Sequence, residues 1–314
     1  MNVTPGTDRY LPTSVKEMEM LGWDHVDVVL FSGDAYVDHP SFGAAVIGRT
    51  LQAHGYNVAI VPQPNWRDDL RDFRKFGAPR LFFGISPGAM DSMVNHYTAA
   101  RRRRNDDAFT PDGRHGMRPD YPTIVYSEIL RRLYPEVPIV AGGIEASMRR
   151  LSHYDYWQDR LRPSIITDAP VDMLEIARHL ASGEKISSLT DIPQTVVRLK
   201  SSDIPAPDSR NIILASYEQC LRDKRLQAAN FKHIEQQSNR LVPDTVIWQQ
   251  HGRSAVKVNP MYPPMTTAET DATFDLPYTR LPHPRYKGKR IPAYEMIRHS
   301  VCLHRGCFGG CSFC

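Results

Sequence analysis

Three cysteines close the sequence in the stretch RGCFGGCSFC: Cys307, Cys311 and Cys314, spaced C-x3-C-x2-C. Thiolates are soft ligands, and three so close together can share one metal ion or cluster. Gly309 and Gly310 allow backbone angles that other residues avoid, so the loop can wrap its ligand without strain. Zinc ribbons favour two separated C-x2-C pairs, and here there is a single triple. Three ligands on an iron–sulfur cubane would leave one iron open for a further ligand. The same residues also read as a thiol tail without metal, or as a zinc site with Cys302 or His304 as fourth ligand. Cys302 is offset from the triple and reads as a strand residue, while Cys220 stands alone as an ordinary helix residue. Four of the five cysteines fall in residues 302–314. A disulfide framework would spread its cysteines through a short secreted chain, so this cluster points to a metal or cluster site instead.

The elements that position such a loop need a chain of ordinary globular make-up. With 314 residues, 41% hydrophobic and 24% charged, the sequence has room for about two domains. No run approaches the ~18 apolar residues of a membrane span. The start, MNVTPGTDRYLPTSVKEMEMLGWDHVD, lacks the pattern of a secretory signal, which makes a cytoplasmic location the expectation. A net charge of +4 is too mild to imply nucleic acid. The run Arg101–Arg104 reads first as a solvated loop or helix face and second as a phosphate-binding patch.

Apolar runs and helical patterns alternate through the first half. VDVVLF (26–31), YNVAIV (56–61), RLFFGIS (80–86) and VPIVAGG (137–143) read as strands, with SIIT (164–167) as a possible fifth. SFGAAVIGRTLQAHG (41–55), PTIVYSEILRRLYP (122–135) and VDMLEIARHLASG (171–183) read as helices. This alternation predicts an α/β fold whose doubly wound, mostly parallel sheet fills residues 1–190. Residues 191–295 read as an accessory region. It holds a polar connector (201–210), one long helix (214–239), a hairpin turning at His251-Gly252, a Thr-led helix start (266–277) and a basic, proline-rich extended stretch (280–297). A new strand over 297–305 leads into the cysteines, so residues 296–314 open a further domain.

Ligands of parallel sheets sit beyond the carboxyl ends of the strands, which singles out three loops. SGDAYVDHPSFG (32–43) offers Asp34, Asp38 and His39, either as a pocket or as groups that fix the loop and cap a helix. LSHYDYW offers His153, Tyr154, Asp155, Tyr156 and Trp157, as a ligand wall or as packing beneath a loop. GGIEAS (142–147) places Gly142 and Gly143 at a sharp turn, with Glu145 and Arg149 spaced to pair on a helix. SPGAMDSMVNHY (86–97) is the third loop.

Together, LPTSVKEMEMLGWDHVDVVLFSGDAYVDHPSFG, PIVAGGIEASMRRLSHYDYW, LPHPRYKGKRIPAYEMIRHSV and RGCFGGCSFC resemble the YgiQ-type radical S-adenosylmethionine (SAM) proteins over nearly the whole chain. The resemblance implies that an α/β region precedes a TIM-like radical SAM barrel. It implies that Cys307, Cys311 and Cys314 bind a [4Fe-4S] cluster and that SAM chelates the open iron. Reduction would then cleave SAM to methionine and a 5′-deoxyadenosyl radical, with the electron drawn from a reductant protein such as flavodoxin or ferredoxin. The sequence ends at Cys314, so the barrel is expected to be truncated to its first strand and the chain to be inactive by itself. VDMLEIARHL passes from Asp172-Met173-Leu174 straight into a helix where family members carry a strand and a glycine-rich turn. GGIEAS precedes the cysteines and therefore does not match the Gly-Gly-Glu segment that holds SAM. Adjacent Asp38 and His39 do not meet the cobalamin ligand spacing Asp-x-His-x-x-Gly of related folds.

Two other functions remain open on these residues. One is a non-catalytic metal- or cluster-binding fragment. The other is an RNA-binding module using Arg101–Arg104, Arg149, Arg150 and the basic run from Lys287 to Arg290. The resemblance names no substrate.

Overall fold

An apolar run with no polar face, such as VVLF (28–31), is stable only as a strand covered on both sides. The computed structural model describes residues 9–167, 174–240 and 244–300. Helix α1 (Val15–Met20) leads into β1 (Val28–Ser32), α2 (Gly43–Ala53), β2 (Val58–Pro62) and a single turn, α3 (Arg71–Arg74). Then come β3 (Phe82–Ser86), α4 (Ser92–His96), α5 (Pro122–Leu133) and β4 (Ile139–Ala141). The four strands form one parallel sheet in the order β2, β1, β3, β4.

Successive side chains point to opposite faces of a strand, and both faces of this sheet are covered. Val28, Leu30, Ile60 and Phe82 pack on Ala45 and Leu51 of α2. Val29, Phe31, Phe83 and Ile139 pack on Phe73 of α3 and on Tyr126 and Leu130 of α5. Phe31 and Phe73 stack with ring centroids 5.0 Å apart. The sheet is therefore α/β and wound with helices on both sides, as expected.

The chain continues through α6 (Ile144–Met148), a small hairpin of β5 (His153–Asp155) and β6 (Arg160–Arg162), and α7 (Leu174–Ala181). The expected fifth strand at 164–167 is instead a 3-10 turn, Ile165–Thr167. Ser164 and Thr167 account for this. The Ser164 hydroxyl accepts from Ile166 N at 3.3 Å, and Thr167 Oγ1 donates to Ser164 O at 2.7 Å. Local bonds of this kind compete with a strand ladder. Gly142 and Gly143 do turn the chain sharply after β4, with Gly143 at φ 84°.

The accessory region holds a second sheet. β7 (Val196–Lys200), β8 (Asn211–Leu214), β9 (Val246–His251) and β10 (Ser254–Val258) pair in the order β7, β10, β9, β8. The hairpin β9–β10 is present, with Gly252-Arg253 as its two-residue turn and Gly252 at φ 59°. The expected single helix over 214–239 is two: α8 (Tyr217–Arg222) and α9 (Lys224–Ser238). Asp223 breaks it, extended at φ −137° and ψ 110°, with its side chain accepting from Arg225 N. An aspartate is better placed at a helix start than in a helix interior. A third core of Leu151, Ile166, Val196, Leu214, Ile247 and Val256 lies beneath this sheet.

After β10 comes α10 (Thr267–Phe274), opened by the expected cap: Thr266 and Glu269 form a reciprocal capping box. The stretch 280–297 is not simply extended. It contains a 3-10 turn, Pro284–Tyr286, and α11 (Pro292–Ile297), each with proline in the first turn where a missing N–H costs nothing. Tyr286, Ile291 and Ala293 return to the first core. Ile297 ends α11; the cysteines Cys302, Cys307, Cys311 and Cys314 and most of the expected strand over 297–305 lie outside the described residues.

Candidate functional site

Strand order reverses between β1 and β3, and the loops leaving these two strands meet there. Gly33 N donates to Ser86 O at 3.0 Å. A Cβ on Gly33 would collide with Pro87 O, and one on Gly88, which sits at φ 118°, would collide with Asp34. The two backbones thus approach as only glycine permits. Asp34 fills the junction. Its Oδ2 accepts from Ala89 N at 2.7 Å, and its Oδ1 lies 2.9 Å from Arg118 Nη1. Arg118 is fully buried; it donates to Asp107 at 3.0 and 3.1 Å and to Pro87 O at 2.8 Å. Burial pushes the Asp34 carboxyl up to about 6, against the opposing pull of Arg118. One guanidinium therefore ties together the loops after β1 and β3 and the segment around Asp107.

The neighbouring acids are also held inside. Glu145 is fully buried and does not pair with Arg149. Its carboxylate accepts from Ser92 Oγ at 2.7 Å and from Thr123 N at 3.2 Å, at the open end of α5. Arg149 lies past the end of α6 and forms its ion pair with Asp91, which caps α4 by accepting from Met93 N. Tyr121 OH donates to Asp155 at 2.7 Å.

The loop residues singled out from sequence fall in three places. Asp34 lies in the junction between the loops after β1 and β3; Asp155 sits apart from it, accepting from Tyr121 OH and from Trp157 N and Gln158 N at 2.9 Å, and burial lowers His153 to about 4. Tyr154 is 56% exposed and hydrogen-bonds Asp159. Asp38 and His39 are buried on the far side of the β1 loop. His39 Nδ1 accepts from Ser41 N at 3.1 Å. Asp38 accepts from Arg49 at 3.0 and 2.6 Å, from Tyr36 OH at 3.2 Å and from Thr279 N at 2.8 Å. Of the expected basic surface, Arg149 is buried. Arg150 instead lines a cavity of about 110 Å³ with Ile165, Val196 and Ile247. Sequence reasoning missed Asp91, His96, Asp107, Arg118, Asp120 and Tyr121. Arg118 and Asp120 stand in the aperiodic stretch GMRPDYP, which carries no local signal of a partner.

Asp38 begins a strap that carries the chain toward the cysteine motif. Val37 bridges Pro282, Asp38 N donates to Leu281 O, and Tyr36 N donates to Tyr286 OH at 3.1 Å. Farther on, Arg290 N donates to Asp112 at 3.0 Å and Ala293 N to Ala108 O at 2.8 Å. Ala108 and Asp112 follow closely on Asp107, which Arg118 holds. Cys307 is seven residues past Ser300, a chain reach of at most about 25 Å.

Three thiolates spaced C-x3-C-x2-C are a donor set suited to an iron–sulfur cluster with one open iron. Among the described residues no group of three or more His, Cys, Asp or Glu could hold a metal. Cys220, the described cysteine, is buried, with its Sγ at 3.2 Å from Asn230 Nδ2. Burial raises its thiol pKa, which makes it a poor competitor for iron. No described helix is long and apolar enough to cross a membrane.

The radical SAM N-terminal family profile matches residues 10–300. A UPF0313 protein of Porphyromonas gingivalis is 62% identical over 320 residues, covering 99% of this chain and 50% of the relative. One of Bacteroides thetaiotaomicron is 58% identical, covering 97% of this chain and 52% of its own. The UPF0313 protein YgiQ of Escherichia coli is 41% identical, covering 98% and 50%. The chain thus spans about half the length of the curated relatives it matches. No solved structure gives a significant match. With its profile running from the first described residues through the strap, the chain belongs to the radical SAM N-terminal family, the family of the YgiQ-type proteins.

Proposed function

We propose that this chain is the N-terminal part of a radical SAM enzyme in which Cys307, Cys311 and Cys314 hold a [4Fe-4S] cluster. The observation that carries this reading is the triple thiolate motif placed directly after a family-matched region whose last segment is tied to the sheet's carboxyl edge. When bound, such a cluster supplies the electron that cleaves SAM reductively. The chain's own residues would fix the start of the motif. Asp38 and Tyr36 hold the strap at Thr279–Tyr286, and Asp112 and Ala108 hold it again at Arg290–Ala293. On this reading the rest of the barrel, with the groups that bracket SAM and substrate, belongs to the part of the relatives that this chain does not span. An electron-donor protein of the flavodoxin or ferredoxin type would complete the system.

Anaerobic reconstitution with iron and sulfide tests it, read by iron content and by EPR after reduction. The wild type should give a reduced [4Fe-4S] signal. The Cys307→Ala/Cys311→Ala/Cys314→Ala variant should lose it, and Cys220→Ala should keep it. A signal retained in the triple variant, or no cluster in any of the proteins, would sink the proposal.

A further inference from the structure

Two loops at the carboxyl edge of the first sheet build a surface that the cluster chemistry does not use. The loop after α4 folds back on itself: Tyr97 bridges Arg103, and Arg104 N donates to His96 O at 2.8 Å. This displays Arg101, Arg102, Arg103 and Arg104, all exposed. None of the four has a carboxylate partner within ion-pair distance among the described residues. The β5–β6 hairpin stands against them. Tyr156 OH donates to Ala99 O at 2.7 Å, and the Arg101 guanidinium lies 4.6 Å from the Tyr156 ring centre. Trp157 packs between Tyr156 and Tyr97 with centroid distances of 5.2 and 5.6 Å. Tyr154 and Tyr156 are 56% and 47% exposed.

We infer that this surface, Arg101–Arg104 with Tyr154, Tyr156 and Trp157, binds single-stranded nucleic acid. The inference goes beyond the cluster proposal and uses only described residues. Arg103 Nε donates to His115 Nε2 and Arg104 Nε to Tyr97 O at 3.3 Å, but no carboxylate has to be displaced from these guanidinium groups before a phosphate binds. Aromatic rings held at the surface offer faces to unstacked bases, and arginine beside them adds cation–π attraction. A duplex hides its base faces and would find only the arginines. A lipid surface would call for aliphatic side chains, and the two stretches, YTAARRRR and YDYWQDR, have no aliphatic residue larger than alanine. Asp159 hydrogen-bonds Tyr154, and Asp120 takes the hydroxyl of Tyr97 at 2.8 Å. These carboxylates hold the rings in place.

The test is fluorescence anisotropy of the whole chain with labelled single-stranded RNA and DNA of about 12 nucleotides, over a salt series. A duplex and anionic lipid vesicles serve as further arms. RNA and DNA binding compared at equal salt tells which sugar the surface prefers. Single strands should bind more tightly than the duplex. Arg102→Ala/Arg104→Ala should reduce the steepness of the log–log salt dependence by about 1 to 1.5. Tyr154→Ala/Tyr156→Ala should weaken binding at least about thirtyfold with the salt dependence unchanged. All these side chains are exposed, and unchanged circular dichroism and melting would show that the fold is kept. No binding of single strands at low salt, equal affinity for the duplex, binding of vesicles alone, or variants that bind like wild type would each overturn the inference. The cysteine variants should bind as wild type does, so this result and the cluster result fail independently.

Discussion

Arg118 answers two carboxylates at once, and all three groups are shut away from water. An ion pair in such a place adds little by forming, because desolvation consumes most of its attraction. Its loss is another matter. Arg118→Met would leave Asp34 and Asp107 buried with no opposing charge, at a cost of about 3–5 kcal/mol near neutral pH. The pH dependence follows from Asp34. Its folded pKa is about 6, above the ordinary 3.8, so the folded state holds this proton more tightly than the unfolded chain. Ionising Asp34 therefore costs stability, and its contribution declines as pH rises from about 4 to about 6. Without Arg118 the folded pKa rises further and the decline extends upward. Urea unfolding of Arg118→Met at pH 5 and at pH 7.5 should show the smaller loss at pH 5. An equal loss at both would mean that Asp34 does not titrate in this window.

Among the elements, the strap over Thr279–Ile297 depends most on a single side chain. Asp38 satisfies Arg49 and the Thr279 backbone together. Asp38→Asn keeps the shape and removes the charge, leaving Arg49 buried beside a neutral amide. Hydrogen exchange read by mass spectrometry should then rise over 279–286 well before it rises over β7–β10. Loosening of both regions to the same degree would show that Asp38 supports the fold at large. The same elements show what could be read from sequence. β1–β4 were legible because strands buried on both faces leave uninterrupted apolar runs. β7 is less legible because VVRLK is only five residues long and just two charged residues, Arg198 and Lys200, mark its exposed face, too short an alternation to stand out from a loop. β8 has only four residues, and β9 supplies its ladder. The sequence around Asp223 reads as unbroken helix because a cap and an interior polar residue look alike until the backbone turns. The sheet rule places the loops after β1 and β3 together at the carboxyl edge, where they meet. Their pairings do not follow from it, since Asp34 meets Arg118, and Asp91 meets Arg149, through tertiary folding alone.

Taken together, the described residues form two cores sharing the first sheet and a third beneath the second sheet. Within the second sheet, Gln249, buried in β9, accepts from Ser152 N at 2.9 Å, just ahead of β5, and donates to Ala215 O at 3.1 Å, just after β8. The chain leaves the first layer for the second sheet and comes back through the strap before it reaches the cysteines. If the proposed cluster takes its position from the first layer, damage to the two layers should separate. Val256→Ala removes buried methyl groups from the third core, at about 2 kcal/mol. It should raise hydrogen exchange over 196–258 and leave cluster incorporation unchanged. Tyr286→Ala opens the first core where the strap docks and removes the acceptor of Tyr36 N, at about 3–5 kcal/mol. It should lower iron retention after reconstitution and speed loss of the EPR signal on dilution, with little change in exchange over β7–β10. If Val256→Ala lost the cluster as readily as Tyr286→Ala, the second sheet would share in holding the motif, and the strap would be only a connector.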